Sequence, residues 1–591
     1  DSRQSRGLGD VYKRQDNVLP SGSTNSFILG NDITGNKAST VFVNNLSIGA
    51  SNPNKALTVV GDISGNGSVA IGVNNIASGQ NSSVVGGSSN IAEGVNSHIG
   101  GATLSKACGT SSAVVGGVSG MAFQIYSAVV GGQCSQASGV GSTVTGSNSS
   151  IASNSFAAAV GGQCNRASGI DSTVTGGNEN VASGCTAAVV GGEKNAASQT
   201  LAAVVGGFGN TANASQTVVT GGSCNTASFL GATITGGFSS RATSKNSHIG
   251  GGCFNITSGE MAHIGGGLCN EATGNTTAIA GGSFNQAIAD NAAVLGGASN
   301  EAMAQRSTIV GSCSSRAAGE ASFIAGGEMN LALGCNSSIG GGCCNVIQAM
   351  GSYSVIGGGS YNKVLNSGDT VAGGVSNTAN GGKSFVGGGQ LNIASGAHSN
   401  VGGGKNNTAN GSYSTVTGGM SSQTLSACSF VGGGYKNKAH DVYSTIVGGM
   451  RNVALSAGSF VGGGRDNDAL HSQTFIGGGT SNTASGASST IVGGNINFAD
   501  GNQSTIVGGQ LNTACGAKSF IGGGMCLSAS GNYSSVVGGF VNTVSGSHSF
   551  IGGGTYNTAC GAYSNIVGGR YNQASSYGSF IGAGHHNTAS G

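Results

Sequence analysis

Tryptophan is absent, proline occurs only 2 times, charged residues make up 7% of the chain and aromatic residues 5%. So little proline beside 116 glycines excludes collagen, which needs glycine at every third position and abundant proline. Low charge with 37% apolar residues also departs from a solvated disordered chain, whose signature is high net charge and little to bury. The net charge is +2, with no basic stripe to neutralise phosphates, so no nucleic-acid partner is expected. No apolar run approaches the roughly 20 residues of a membrane-spanning helix, so no membrane span is expected either.

The first residue is not methionine, and Asp10 to Gln15 read D-V-Y-K-R-Q. That hexapeptide resembles a translated sequencing adapter, so residues 1–15 are set aside as a scar. At the other end the chain stops in mid-pattern at Asn587-Thr-Ala-Ser-Gly591, which suggests a truncated reading frame.

Between these ends the sequence repeats. Asparagines at Asn437, Asn452, Asn467, Asn482, Asn497 and Asn512 stand 15 residues apart. The lattice extends upstream from Asn345 to Asn75 and downstream from Asn362 to Asn587, giving 35 repeats. One step of 17 residues joins the two blocks, placing two extra residues within 346–353. Asparagine holds 27 of the 35 anchor positions, and alanine stands two residues later in 30 of them.

The consensus S-x-[IV]-x-G-G-x-x-N-x-A-x-G-x-x contains two short β-compatible segments separated by glycine-rich corners. A helix is excluded, because each glycine in its interior would cost about 1 kcal/mol. The repeat predicts an all-β chain over residues 67–591: a parallel β-solenoid of about 35 coils. One coil cannot bury enough surface to be stable, and stacking supplies the continuous core. At ~4.8 Å between paired strands, the array would extend on the order of 160 Å. The anchor asparagines are expected to stack as a structural ladder or to occupy left-handed corners.

Ser68-Val-Ala-Ile-Gly-Val-Asn-Asn-Ile-Ala-Ser-Gly79 resembles the S-V-A-I-G-x-x-A-x-A-x-G repeats of YadA-like heads of trimeric adhesins. Those heads are left-handed parallel β-rolls. Later copies add one residue, as Gly-Gly, to the family's coil. Within residues 16–66, Asn25-Ser-Phe-Ile-Leu-Gly30 and Asn52-Pro-Asn-Lys-Ala-Leu-Thr-Val-Val-Gly-Asp-Ile-Ser64 resemble leader segments of viral tail-fibre proteins. The resemblance implies a homotrimeric adhesive fibre on an extracellular surface, a virion tail fibre or a bacterial adhesin, that meets a host-surface receptor or glycan.

Seven residues before the anchor, phenylalanine occurs at Phe323, Phe385, Phe430, Phe460, Phe475, Phe520, Phe550 and Phe580. Five residues before it, the same coils carry only Ala325, Gly387, Gly432, Gly462, Gly477, Gly522, Gly552 and Gly582. His98, His248 and His263 are likewise followed by Gly100, Gly250 and Gly265. Where position minus seven is small, as at Thr445, Thr505 or Ser535, position minus five is Val447, Val507 or Val537. Close-packed surfaces need such compensation, since voids and overpacking both cost free energy. This face is therefore expected to be buried against neighbouring subunits, with Phe430, Phe460, Phe520, Phe550 and Phe580 as interface residues. The Ile/Val at minus six should point the other way, into the coil.

No chemistry emerges from the remaining residues. The glycine strings lack the G-K-[ST] of a phosphate loop, and acidic residues never recur as an acid–base pair, so neither cofactor nor catalytic residues are expected. The 9 histidines are scattered, with three in the minus-seven packing position, so no metal site is expected. The 15 cysteines include no C-x-x-C; Cys134 and Cys164 share a position two coils apart, on the order of 10 Å, too far for a bridge. Adjacent Cys343 and Cys344 are expected to stay inert, and unpaired thiols favour assembly in a reducing cytoplasm, hence a virus. Two alternatives are weighed: a polysaccharide-acting solenoid enzyme, and an ice-binding solenoid displaying Thr445, Thr490 and Thr505, whose column is interrupted by phenylalanine and serine. Without tryptophan there is no obvious platform for stacking sugars.

Overall fold

The computed structural model describes residues 67–590 and, ahead of them, the backbone of two short parallel strands, Phe27–Leu29 and Val41–Val43. Apart from those strands, the segment 1–15 and the leader 16–66 lie outside the described residues. By internal contacts the chain divides into residues 1–67 and a second unit beginning at Ser68.

The second unit is an all-β parallel solenoid of about 35 coils with about 15 residues per turn and no helix among the described residues. Each coil contributes one short strand to each of two parallel sheets. In the first sheet Thr505 lies opposite Phe520 and Ile506 opposite Ile521. In the second, Thr513 lies opposite Ser528 and Ala514 opposite Ala529. A third file of single bridges, such as Gln510 to Met525, closes the coil between them.

Alternation along each strand sends one residue in and its neighbour out. Ile506, Ile521 and Val536 at minus six, and Ala514 and Ala529 at plus two, are fully buried. So are the anchor asparagines and the serines eight residues before them, such as Asn512 and Ser504. The interior is narrow: one branched aliphatic, one alanine, one serine and one asparagine per coil fill it.

Three corners turn the chain. At the first, Gly509 has φ of 89°, and a Cβ there would lie 2.1 Å from the carbonyl oxygen of Gly524 in the next coil, so only glycine fits. Leu511 and Lys518 make the other two with φ of 56° and 55°. Side-chain-bearing residues in this region are strained, and the bonds of the flanking coils hold them there. The left-handed corner thus falls on the residue before the anchor, not on the asparagine itself.

The two departures from the period are localised. In the first coil Val69 pairs with Ser83, and the register shifts between Ile71 and Val73, so the added residue enters at the Gly86-Gly87 corner. In the irregular coil Ile339 pairs with Ile356 and Ile347 with Val364, so the two extra residues project between Ile347 and Ser354. Met350 and Tyr353 on this protrusion are 71% and 70% exposed.

Candidate interaction surface

The six asparagines Asn437, Asn452, Asn467, Asn482, Asn497 and Asn512 form one internal column. Each backbone N–H from Asn452 to Asn512 donates to the Oδ1 of the asparagine one coil earlier, at 3.0–3.1 Å. Each Nδ2 donates twice to glycine carbonyls, as Asn512 does to Gly508 at 2.9 Å and Gly524 at 3.0 Å. Direct side-chain to side-chain bonds also occur, for example Asn482 to Asn467 at 3.1 Å. The column stitches backbone to backbone through amides whose polar groups are otherwise buried. It offers no atom to an outside ligand.

Phe430, Phe460, Phe520, Phe550 and Phe580 share one column on the outer face of the first sheet, at separations of two or four coils, and do not touch one another. Phe460 instead stacks on Phe475, centroids 5.1 Å apart. In the single chain this face is open: Phe520 is 36% and Phe580 65% exposed, and the intervening valines, such as Val507 at 42%, are open too. The pairing of large with small has a cause inside each coil. A Cβ on Gly387, Gly432 or Gly552 would sit 3.2–3.3 Å from Cε1 of Phe385, Phe430 or Phe550, so each ring lies over its own glycine. On Gly522 the added atom would meet the backbone of the next coil, with the carbonyl oxygen of Val537 at 2.5 Å. The rule is satisfied without a partner.

The histidines follow the same geometry. His248 and His263 stack at 4.9 Å, and Thr235 Oγ1 lies 3.3 Å from His248 Nε2. Burial, reinforced by His263, holds the His248 imidazole below the usual histidine range. Thr143 with Thr145, Thr173 with Thr175, Thr233 with Thr235 and Thr415 with Thr417 stand as pairs on this face. Coils with alanine, valine, phenylalanine or glycine separate them, so no continuous double threonine file forms.

The 31 charged residues of the repeats are sorted around the coil. None occupies positions minus seven to minus three, the outer face of the first sheet and its glycine corner. They stand on the second sheet and the other corners, many paired: Arg316 with Glu301 at 2.9 Å, Lys245 with Glu260 at 2.8 Å and Arg451 with Asp466 at 2.7 Å. The Arg451 guanidinium holds the Asp466 carboxyl below the usual carboxylate range. Exposed pairs like these contribute little stability and keep the surface solvated.

Two aromatic ladders near residue 580 escaped sequence reasoning. Tyr533, His548 and Tyr563 stack at 4.8 Å on one corner, and Tyr556, Tyr571 and His586 at 4.8–4.9 Å on another. Their 15-residue spacing was the available signal. The ring faces cover one another, leaving edges to solvent, so these ladders stabilise the stack more than they present faces to a sugar. A shallow recess of about 400 Å³ is lined by Cys224, Thr226, Ser239, Arg241, Phe254 and Ile256. Among the described residues no group of three or more His, Cys, Asp or Glu side chains is placed to hold a metal ion.

Compared with known proteins, the sequence matches no protein-family model, and no curated protein matches it.

Proposed function

We propose that the chain is a segment of an extracellular homotrimeric fibre, an adhesin head or shaft through which a virion or bacterial cell attaches to a host surface. The observation that carries this reading is the charge-free face: positions minus seven to minus three lack any Asp, Glu, Lys or Arg throughout the repeats. That face combines exposed valine and phenylalanine with glycine. Serine, threonine, histidine and asparagine interrupt the apolar residues there, but an uncharged face with exposed valine and phenylalanine along the whole array is the surface on which association is expected. The array acts through extension and surface, and its asparagine column is occupied internally; a catalytic role has no observation in its favour. Sedimentation equilibrium of the full chain tests the reading: a trimer is expected, and a monomer at micromolar concentration would overturn it.

A further inference from the structure

Fifteen cysteines are free, and the solenoid spreads them over several columns. Among the described residues one pair of sulfurs is in contact: Sγ of Cys343 and Sγ of Cys344 lie 2.9 Å apart, half-buried. We propose that Cys343 and Cys344 are a redox-modification site, closing to a vicinal disulfide on exchange with a small-molecule disulfide such as glutathione disulfide and reopening under thiols.

The surroundings define the order of events. The Cys343 thiol is pushed up to about 11, first by its hydrogen bond to Cys344, so Cys343 keeps its proton until the second step. Cys344 thiolate attacks one sulfur of glutathione disulfide and expels glutathione thiolate, giving a mixed disulfide. The expelled thiolate takes the Cys343 proton, and Cys343 sulfur attacks Cys344 Sγ, expelling the second glutathione. Two protein thiols are oxidised to one disulfide, and one glutathione disulfide is reduced to two thiols.

The product is a switch and not a staple. Neighbouring Cα atoms stand ~3.8 Å apart across a trans peptide, short of the about 4.4–6.8 Å that unstrained bridges span, and strained bridges reduce readily. The place also matters. Cys343 N–H donates to Gly359 O at 3.0 Å, and Tyr361 N–H donates to Cys343 O at 3.0 Å, tying the pair to the coil that carries the protruding residues 348–353. Closing the ring therefore stiffens the corner beside the irregular coil, and reduction relaxes it.

Cys526 is the internal control, since it holds the same coil position as Cys344 with Met525 in place of a second thiol. The full chain is incubated with glutathione disulfide, alkylated with iodoacetamide, digested and examined by mass spectrometry. The peptide bearing both cysteines should become two hydrogens lighter and unalkylated, at least about tenfold faster than Cys526 acquires glutathione. Cys344→Ser should abolish that product and leave Cys343 alkylated. Stable glutathione adducts on both residues, or full alkylation of both, would overturn the proposal.

Discussion

Asn482 Oδ1 accepts the backbone N–H of Asn497 at 3.0 Å, while Asn482 Nδ2 donates to the carbonyls of Gly478 and Gly494, each at 3.0 Å. One buried amide thus ties its own coil to the next by three hydrogen bonds. The coil of Leu527 lacks this device: Leu527 is buried in the anchor column and gives the N–H of Asn542 no side-chain acceptor. Leu527→Asn is expected to stabilise its neighbourhood by about 1 kcal/mol, the net worth of a hydrogen bond. Hydrogen exchange at the Asn542 amide should slow about fivefold. A local readout suits a stack whose coils contact mainly their neighbours. The reverse change, Asn497→Leu, should speed exchange at Asn512.

The architecture and the column of asparagines were legible because one period governs 35 coils, so a signal weak in any single copy repeats in register. The direction of each position was legible too: strand alternation puts Ile506 inside and Thr505 outside. Less legible was why phenylalanine accompanies glycine, because the answer lies in a ring folded over its own strand and in a carbonyl of the next coil, neither encoded in spacing. The left-handed corners at Leu511 and Lys518 were hidden for a similar reason, since neither carries glycine or asparagine. Stacked aromatics such as Tyr556 on Tyr571 needed the columns to be aligned before they could be seen.

Gly522→Val should destabilise by roughly 1–3 kcal/mol through overpacking. Adding Phe520→Thr should recover only part of that loss, because the Val537 carbonyl remains 2.5 Å from the new Cβ whatever stands at 520. At Gly582 the nearest atom is Cε1 of Phe580 at 3.7 Å, so Gly582→Val should be nearly neutral. Thermal melting of the three variants beside the unchanged chain checks this. Full rescue by Phe520→Thr would show that the ring alone enforces glycine.

Asp369 occupies a buried position where most coils carry serine, and its Oδ1 accepts both N–H and Oγ–H of Ser384 at 2.8 Å. Burial raises its carboxyl above the ordinary value of 3.8, with the Ser384 bonds opposing. The folded chain therefore keeps a proton that the unfolded chain has released. Local stability should be greatest below the ordinary value of 3.8, fall as pH rises through the raised folded value, and level off above it. Asp369→Asn keeps the acceptor without the charge and should flatten this dependence, read as amide exchange at Ser384 between about pH 4 and 7. An unchanged pH profile in the variant would place the titration elsewhere.

The sorting of charge around the coil separates the two outer faces by experiment. Lysine occurs naturally on the second sheet at the position of Thr513, as Lys106, Lys363 and Lys438, whereas the position of Thr505 on the first sheet never carries a charge. Both threonines are half-buried and are the first, outward-facing residue of a two-residue strand, so a lysine side chain can extend outward from either stack. If the first-sheet face meets other subunits, Thr505→Lys places three ammonium groups of a trimer in an apolar contact. Each would cost its desolvation energy without a carboxylate to pair with. Thr513→Lys adds the same charge where solvent remains. Sedimentation at equal concentration should show dissociation of the Thr505 variant and an intact trimer for the Thr513 variant, with both chains equally folded by circular dichroism. Equal association of the two would move the subunit contact off the charge-free face.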